Sequence, residues 1–356
     1  MQKETTAFIH EILSFYNAKR PLVIFRKPNE TILKAYIQND KEVYFLDSFN
    51  AQGFVFAPFN KNEKKILFPA AKCNLLTSEI ATNKDLEITT ATSIKNVIYN
   101  ETSKENHLQL VQKGIDFLKK NNIKKVVLSR KETVECVDFD FENTFKKMLN
   151  NYKNAFVYLW YHPSVGLWMG ATPERLIDIT QNKFTTMALA GTQRYKNSVN
   201  VVWKLKEQQE QQFVTDYILN TIKGSIKNIK VSEAYTVKAG NLLHIRTDIS
   251  GALKSINLLE NLVETLHPTP AVCGLPKKEA TKFIFKNEKY NRAYYAGYLG
   301  ELNIEKNTHL FVNLRCMQVN NNSASIYIGG GITTGSNPEN EWEETVSKAE
   351  VMKKVL

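Results

Sequence analysis

Two pairs of glutamates are the residues in this chain best spaced to do chemistry together. Glu207 and Glu210 lie in the polar run 206–212, and Glu341 and Glu344 flank Trp342 and Glu343. A separation of three residues on a helix puts both carboxylates on one face, about 5–6 Å apart between Cβ atoms. Like charges held that close repel unless a cation is shared between them. A hard divalent ion with oxygen ligands, Mg2+ above all, suits such a donor set. The competing reading is a solvated acidic face, because glutamate is a good helix former. Trp203, Glu207, Glu210, Val214, Tyr217 and Thr221 follow helical spacing, so the first pair continues a largely apolar stripe. Ser336-Asn337-Pro338-Glu339 reads as a capping box with proline in the first turn. The helix dipole accounts for Glu339 and in part for Glu341, but it has faded by Glu344, which shares a face with Glu341 and Lys348.

Further residues have both a chemical and a plain reading. Lys125 opens the apolar run Val126-Val127-Leu128; it either snorkels at a strand end or, stripped of water, serves as a general base. Glu174 follows Gly170-Ala171-Thr172-Pro173, small and turn-forming residues that let a backbone approach a ligand. It is either a turn residue paired with Arg175 or a carboxylic acid beside a leaving group. Ala190-Gly191-Thr192 and Gly329-Gly330-Gly331 read as glycine-rich turns at strand ends, and the second has N–H groups suited to a carboxylate nest. His267 begins a two-proline loop and is read as a structural hydrogen-bonder. Arg315 is a charge in an otherwise apolar strand, so burying it demands an anion, from the protein or a ligand.

Composition narrows the class. With 356 residues, 43% hydrophobic and 11% aromatic, the chain can bury a large core. No apolar run approaches the roughly 18 residues that span a bilayer, and the first residues lack an apolar leader, so a cytoplasmic location is expected. Cys73, Cys136, Cys273 and Cys316 are scattered without metal or disulfide spacing. The net charge of +11 comes mostly from lysines spread along the chain. No basic helix interleaved with aromatics is present, so nucleic acid is not the expected partner; a small polyanion suits the charge better.

The elements that must position these groups follow from periodicity. Helices are expected over 1–20, 108–121, 141–153, 200–223, 256–266 and 277–286, and a last one closes the chain. Strands are expected at 22–26, 43–46, 124–130, 155–161, 166–169, 175–180, 183–189, around 231–238 and at 243–251. Three more run over 299–304, 308–319 and 323–328, the last two joined by a turn at Asn320-Asn321-Asn322. Segment 51–100 mixes strands and loops. Long antiparallel runs with inserted helices indicate an α+β fold, with no visible repeat or linker.

Ten segments taken in order resemble the chorismate-utilising enzymes, the family of isochorismate, salicylate, anthranilate and aminodeoxychorismate synthases. They are Lys125 to Arg130, Gly170 to Glu174, Leu189 to Thr192, the Glu207/Glu210 pair, and His244-Ile245-Arg246-Thr247. Then follow His267-Pro268-Thr269-Pro270-Ala271-Val272 with Gly274, Arg292 to Gly297, Leu314-Arg315, Gly329 to Ile332, and Ser336 with Pro338, Glu341, Glu344 and Lys348. The resemblance covers 120–350 and implies one domain over 1–356, in which 1–110 is an abbreviated N-terminal part of the same fold. It implies antiparallel sheets packed face to face with helices outside.

The resemblance also implies a chemistry. Mg2+ would be held by Glu210 and Glu344, with Glu207 and Glu341 in support through water, and would anchor the ring carboxylate of chorismate. Lys125 would deprotonate water attacking C2, and Glu174 would protonate the departing C4 hydroxyl. Arg315 and Tyr295 would bind the enolpyruvyl carboxylate beside Gly330 and Gly331. Gly191, Thr192, His244, Ala271 and Lys348 would complete the substrate pocket. Ammonia-using members have glutamine where this chain has Lys125, and aminodeoxychorismate synthases have lysine where it has Ala190. The resemblance is therefore closest to isochorismate synthases, with a salicylate synthase or a non-catalytic binding protein as the alternatives. A monomer without a glutamine amidotransferase subunit is expected.

Overall fold

A computed structural model describes residues 5–80, 96–97, 101–136, 139–240, 242–320 and 322–356. The expectations for 1–4, for 81–95 and 98–100 within segment 51–100, and for Asn321 in the turn lie outside the described residues.

Alternating apolar residues account for the central architecture. Along Leu22–Arg26, Val23 and Phe25 point to one face and Leu22 and Ile24 to the other, and all are buried. A strand buried on both sides belongs inside a layered fold. Val23 and Phe25 join Tyr158, Trp160 and Trp168 against Phe54 and Phe56 of a second sheet, with Phe56 and Trp160 ring centroids 4.6 Å apart. Leu22 and Ile24 pack instead with residues of the helices Thr5–Asn17, Phe141–Asn151 and Pro338–Lys353. The result is two antiparallel sheets face to face with helices outside, the α+β arrangement expected.

Among the described residues each sheet has ten strands. The first runs Gly274–Leu275, Lys125–Glu135, Ser323–Ile332, Cys316–Asn320, Gly166–Thr172, Phe156–His162, Leu22–Arg26, Ile32–Gln38 and Cys73–Glu79, with Asn96–Val97 beside Lys125–Glu135. The second runs Ile226–Val231, Leu242–Leu253, Lys183–Arg194, Arg175–Thr180, Asn307–Val312, Tyr298–Ile304, Gly53–Ala57, Ile66–Pro69 and Tyr44–Phe45, with Tyr235–Ala239 beside Leu242–Leu253.

Three expectations change. The run around 231–238 is two strands, Ile226–Val231 and Tyr235–Ala239, both paired with Leu242–Leu253. The helix expected at 200 begins at Leu205, so Trp203 precedes it. The strand expected over 308–319 breaks at 313–315, where the chain leaves the second sheet for the first. Asn313 secures that corner: its amide donates to Tyr294 O at 2.9 Å and its Oδ1 accepts from Tyr158 Oη at 2.6 Å. Arg315 takes a positive φ of 47° there.

A second crossing lies alongside. The chain passes from Gly166–Thr172 in the first sheet to Arg175–Thr180 in the second through Pro173 and Glu174. Ala171 N donates to Arg315 O at 3.0 Å, Val312 N to Glu174 O at 2.9 Å, and Thr172 Oγ1 to Val312 O at 2.6 Å. The two corners that join the sheets are thus laced together, and each presents one ionisable side chain.

Candidate active site

The two glutamate pairs sit on helices whose rotation is set by their buried faces. On Leu205–Ile222 the buried residues are Gln211, Val214, Thr215, Ile218 and Ile222, a stripe turned from the one expected through Tyr217 and Thr221. Gln211 Nε2 fixes that rotation by donating to Thr247 Oγ1 at 2.7 Å and Thr215 Oγ1 at 2.9 Å. On Pro338–Lys353 the cap is Asn337, whose Oδ1 accepts from Asn340 N at 3.1 Å; Ser336 Oγ accepts instead from Thr333 N. Proline does occupy the first turn, and Glu339 faces Lys104 at 2.9 Å. Arg130 stacks over Trp342 and donates to Thr345 Oγ1 at 2.8 Å, which pins the buried side of this helix.

Three lysines meet three of the four carboxylates. Lys125, fully buried, brings Nζ to 2.7 Å from Glu210 Oε1. Its angles miss a hydrogen bond there, so the pair is a charge contact. Lys348 Nζ lies 2.7 Å from Glu344 Oε1 and donates to Gly329 O. Lys206 Nζ donates to Glu341 Oε1 at 2.5 Å. Burial, then the neighbouring Glu344 charge, raises the pKa of Glu341. Burial also acts to raise Glu344, but Lys348 and Lys206 outweigh it and hold it below the usual range. Burial would depress Lys206, yet the Glu341 charge lifts it. Lys206 was missed from sequence: four residues before Glu210 on a polar helix turn, it reads as an ordinary surface partner.

The glycine run is not the expected turn. Gly329, Gly330 and Gly331 lie inside Ser323–Ile332, paired with Ser129, Leu128 and Val127, and none has positive φ. Side chains crowd the first and last of them. A Cβ on Gly331 would overlap Glu210 Oε1 and lie 2.8 Å from Lys125 Cε, and one on Gly329 would lie 2.7 Å from Tyr295 Oη. Ala190-Gly191-Thr192 is likewise within a strand, Lys183–Arg194, at an irregularity between Ala190 and Gln193. Gly191 has φ 73° there, a conformation glycine adopts without strain.

One pocket gathers most of the sequence-predicted residues. Its wall contains Glu174, Glu210, Arg315 and Lys348, with Tyr295 and His244. Gly191, Thr192, Ala271, Gly330 and Gly331 complete it from the backbone side. Lys125, Glu207, Glu341 and Glu344 stand behind rather than in this wall, Lys125 and Glu344 reaching it through Glu210 and Lys348. Val127, Leu314 and Tyr327 also line it; the first two lie in matched segments but were given no role, and Tyr327 lay in an expected strand with nothing to mark it.

Burial sets the proton chemistry. Glu174 is 4% exposed, and burial raises its pKa from the ordinary 4.5 to about 7, against the pull of the Lys125 and Arg315 charges. A carboxyl group in that range exchanges a proton near neutral pH. Burial, with Arg315 beside it, pushes His244 down to about 3, so the ring is neutral. Nδ1–H donates to Gly191 O at 2.8 Å, which leaves Nε2 as an acceptor for Arg315 Nη2 at 3.3 Å. Among the described residues no carboxylate lies within ion-pair distance of Arg315, so its charge is open to a ligand in the pocket. His267 is structural, as expected, with Nε2 meeting Pro58 O at 3.1 Å. The buried Arg292 donates to Val127 O, Val272 O and Glu288, tying together segments that carry pocket residues.

The donor set suits a hard cation. Glu207 Oε2 and Glu341 Oε2 are buried without a hydrogen-bond partner, and a buried carboxylate oxygen left alone is costly. Among the described residues no three acidic, histidine or cysteine side chains already converge as a metal cage; lysines occupy three of the four carboxylates instead.

The chain belongs to the family of chorismate binding enzymes, whose model matches residues 57–356. It is 26% identical over 253 residues to isochorismate synthase MenF of Haemophilus influenzae, covering 67% of this chain and 57% of that protein. Against isochorismate synthase MenF of Escherichia coli it is 27% identical over 294 residues, 76% of this chain and 66% of that one. The chain thus spans little more than half to two thirds of these curated relatives. The fold matches the Escherichia coli MenF structure with a TM-score of 0.76 at 20% identity, over 94% of this chain and 88% of that one. It matches the Bacillus anthracis DhbC structure at 0.79 and 23%, over 98% and 99%. Among the described residues no helix is long and apolar enough to cross a membrane.

Proposed function

We propose that this chain is an isochorismate synthase that converts chorismate to isochorismate. The observation that carries the reading is Glu174, a buried acid with its pKa near 7, opening into the same pocket as Arg315, Lys348 and the Glu210 carboxylate that Lys125 contacts. The relatives named isochorismate synthases support the choice within the family. So does lysine at 125 with alanine at 190, which the resemblance assigns to members that use water.

In this reading Arg315, beside Tyr295, grips one carboxylate of the substrate. Lys125 takes a proton from water as its oxygen bonds to C2. Glu174 gives a proton to the C4 oxygen as that bond breaks, and the ring double bonds shift between them. Water is consumed and released, so the net change is an isomerisation. The four glutamates, led by Glu210 and Glu344, would hold Mg2+, which when bound supplies Lewis-acid charge beside the ring carboxylate. Neutral His244 holds Arg315 in place without adding a competing charge.

Incubating the purified chain with chorismate and Mg2+ tests this. Chromatography is expected to show isochorismate as the product. Salicylate with free pyruvate would make the chain a salicylate synthase, and no turnover would favour a binding protein.

A further inference from the structure

A larger cavity adjoins the pocket on the far side of Arg315. It holds about 690 Å³ open to water, against about 70 Å³ in the pocket itself. The first figure falls within the roughly 300–1,000 Å³ of small-molecule sites. Pro173, Leu189 and Arg315 stand in both walls, so the two spaces share a partition. Besides Arg315 the cavity is lined by Lys153, Arg175, Lys238 and Arg246, and no described side chain in its wall is Asp or Glu. Two of these cations have acids behind them: Arg246 meets Asp248 at 2.6 Å, and Arg175 lies 3.9 Å from Asp178. Among the described residues no carboxylate lies within ion-pair distance of Arg315 or Lys238, and Arg175 Nε is buried without a hydrogen-bond partner. Lys238, exposed at the rim, rests over Tyr195 rather than on a carboxylate.

We propose that this cavity is a second anion-binding chamber, which takes a small dicarboxylate and passes it to the pocket at Arg315. Positive walls raise the local concentration of an anion and speed its capture. An arginine shared by both spaces keeps one carboxylate paired during the transfer, so the ligand is not fully rehydrated between them. That the dicarboxylate is chorismate rests on the function proposed above. That the chamber binds anions does not.

Calorimetric titration of malonate, a dicarboxylate, separates the two claims. At low ionic strength Lys238→Glu combined with Arg246→Gln is expected to weaken malonate binding about tenfold, and Lys238→Glu alone, at an exposed site that folding tolerates, about threefold. Lys348→Ala, which alters only the pocket, is expected to leave it within about twofold. With chorismate, the double variant is expected to lower kcat/KM about tenfold with kcat unchanged, and the deficit is expected to shrink at about 0.5 M salt, where charges are screened. Malonate binding that is indifferent to both chamber variants, or abolished by Lys348→Ala, overturns the chamber. If the wild type turns over no chorismate, the functional reading fails while the malonate titration still decides the chamber.

Discussion

Replacing Glu174 with glutamine should stabilise the protein at neutral pH while removing its activity. The carboxyl group has its pKa raised by burial from 4.5 to about 7. The folded state therefore binds a proton more tightly than the unfolded state. Between those two values the folded protein carries protons that the unfolded one has lost, so stability falls as pH rises through this window and levels off above it. Raising the value from 4.5 to about 7 costs about 3 kcal/mol at pH 8 and nothing at pH 4. Glutamine never ionises, so Glu174→Gln should recover up to about 3 kcal/mol at pH 8 and almost none at pH 4. The same change removes the proposed general acid, a loss of about 10²–10⁴ in kcat. Urea denaturation at several pH values, with turnover measured alongside, checks both. A variant that keeps more than about a tenth of wild-type kcat refutes the acid role. A pH–stability curve parallel to wild type refutes the burial argument.

Lys125→Ala is expected to lower kcat by at least about 100-fold while calorimetric Mg2+ affinity stays within a few-fold, since the lysine is proposed as a base rather than a ligand; turnover near wild type would remove it from the mechanism. Gly331→Ala forces a methyl group against Glu210 and should weaken Mg2+ binding at least about tenfold, roughly 1.4 kcal/mol, read by the same titration; unchanged affinity would exclude Glu210 as a ligand. Chelation with EDTA should abolish turnover and added Mg2+ restore it, and turnover that persists in EDTA would contradict the metal requirement.

Periodicity made the glutamate pairs legible, because both stay on one side of a helix wherever that helix packs. The strand Leu22–Arg26 was legible as well, from a short apolar run that needs no distant partner to be recognised. What could not be read depended on partners distant in sequence. The apolar continuity of 308–319 hid a corner, since the break at Asn313 is fixed by Tyr158 and Tyr294 rather than by a turn residue. Gly329–Gly331 looked like a loop because three glycines are flexible in isolation; they are strand residues, Gly331 kept small by Glu210 and Lys125 and Gly329 by Tyr295. The cap at Pro338–Lys353 fell one residue later than expected because Ser336 is drawn to Thr333. Ile32–Gln38, which had no expected strand, pairs on both edges with strands already in the sheet.

The laced corners at Glu174 and Arg315 give the molecule a mechanical property. Because one residue rides on each of two adjacent bends, any shear between the layers moves the proposed proton donor and the proposed carboxylate clamp together. Substitutions deep in the aromatic interior, far from any ligand, should then detune KM and kcat in concert, making the stiffness of the sandwich part of its catalytic design.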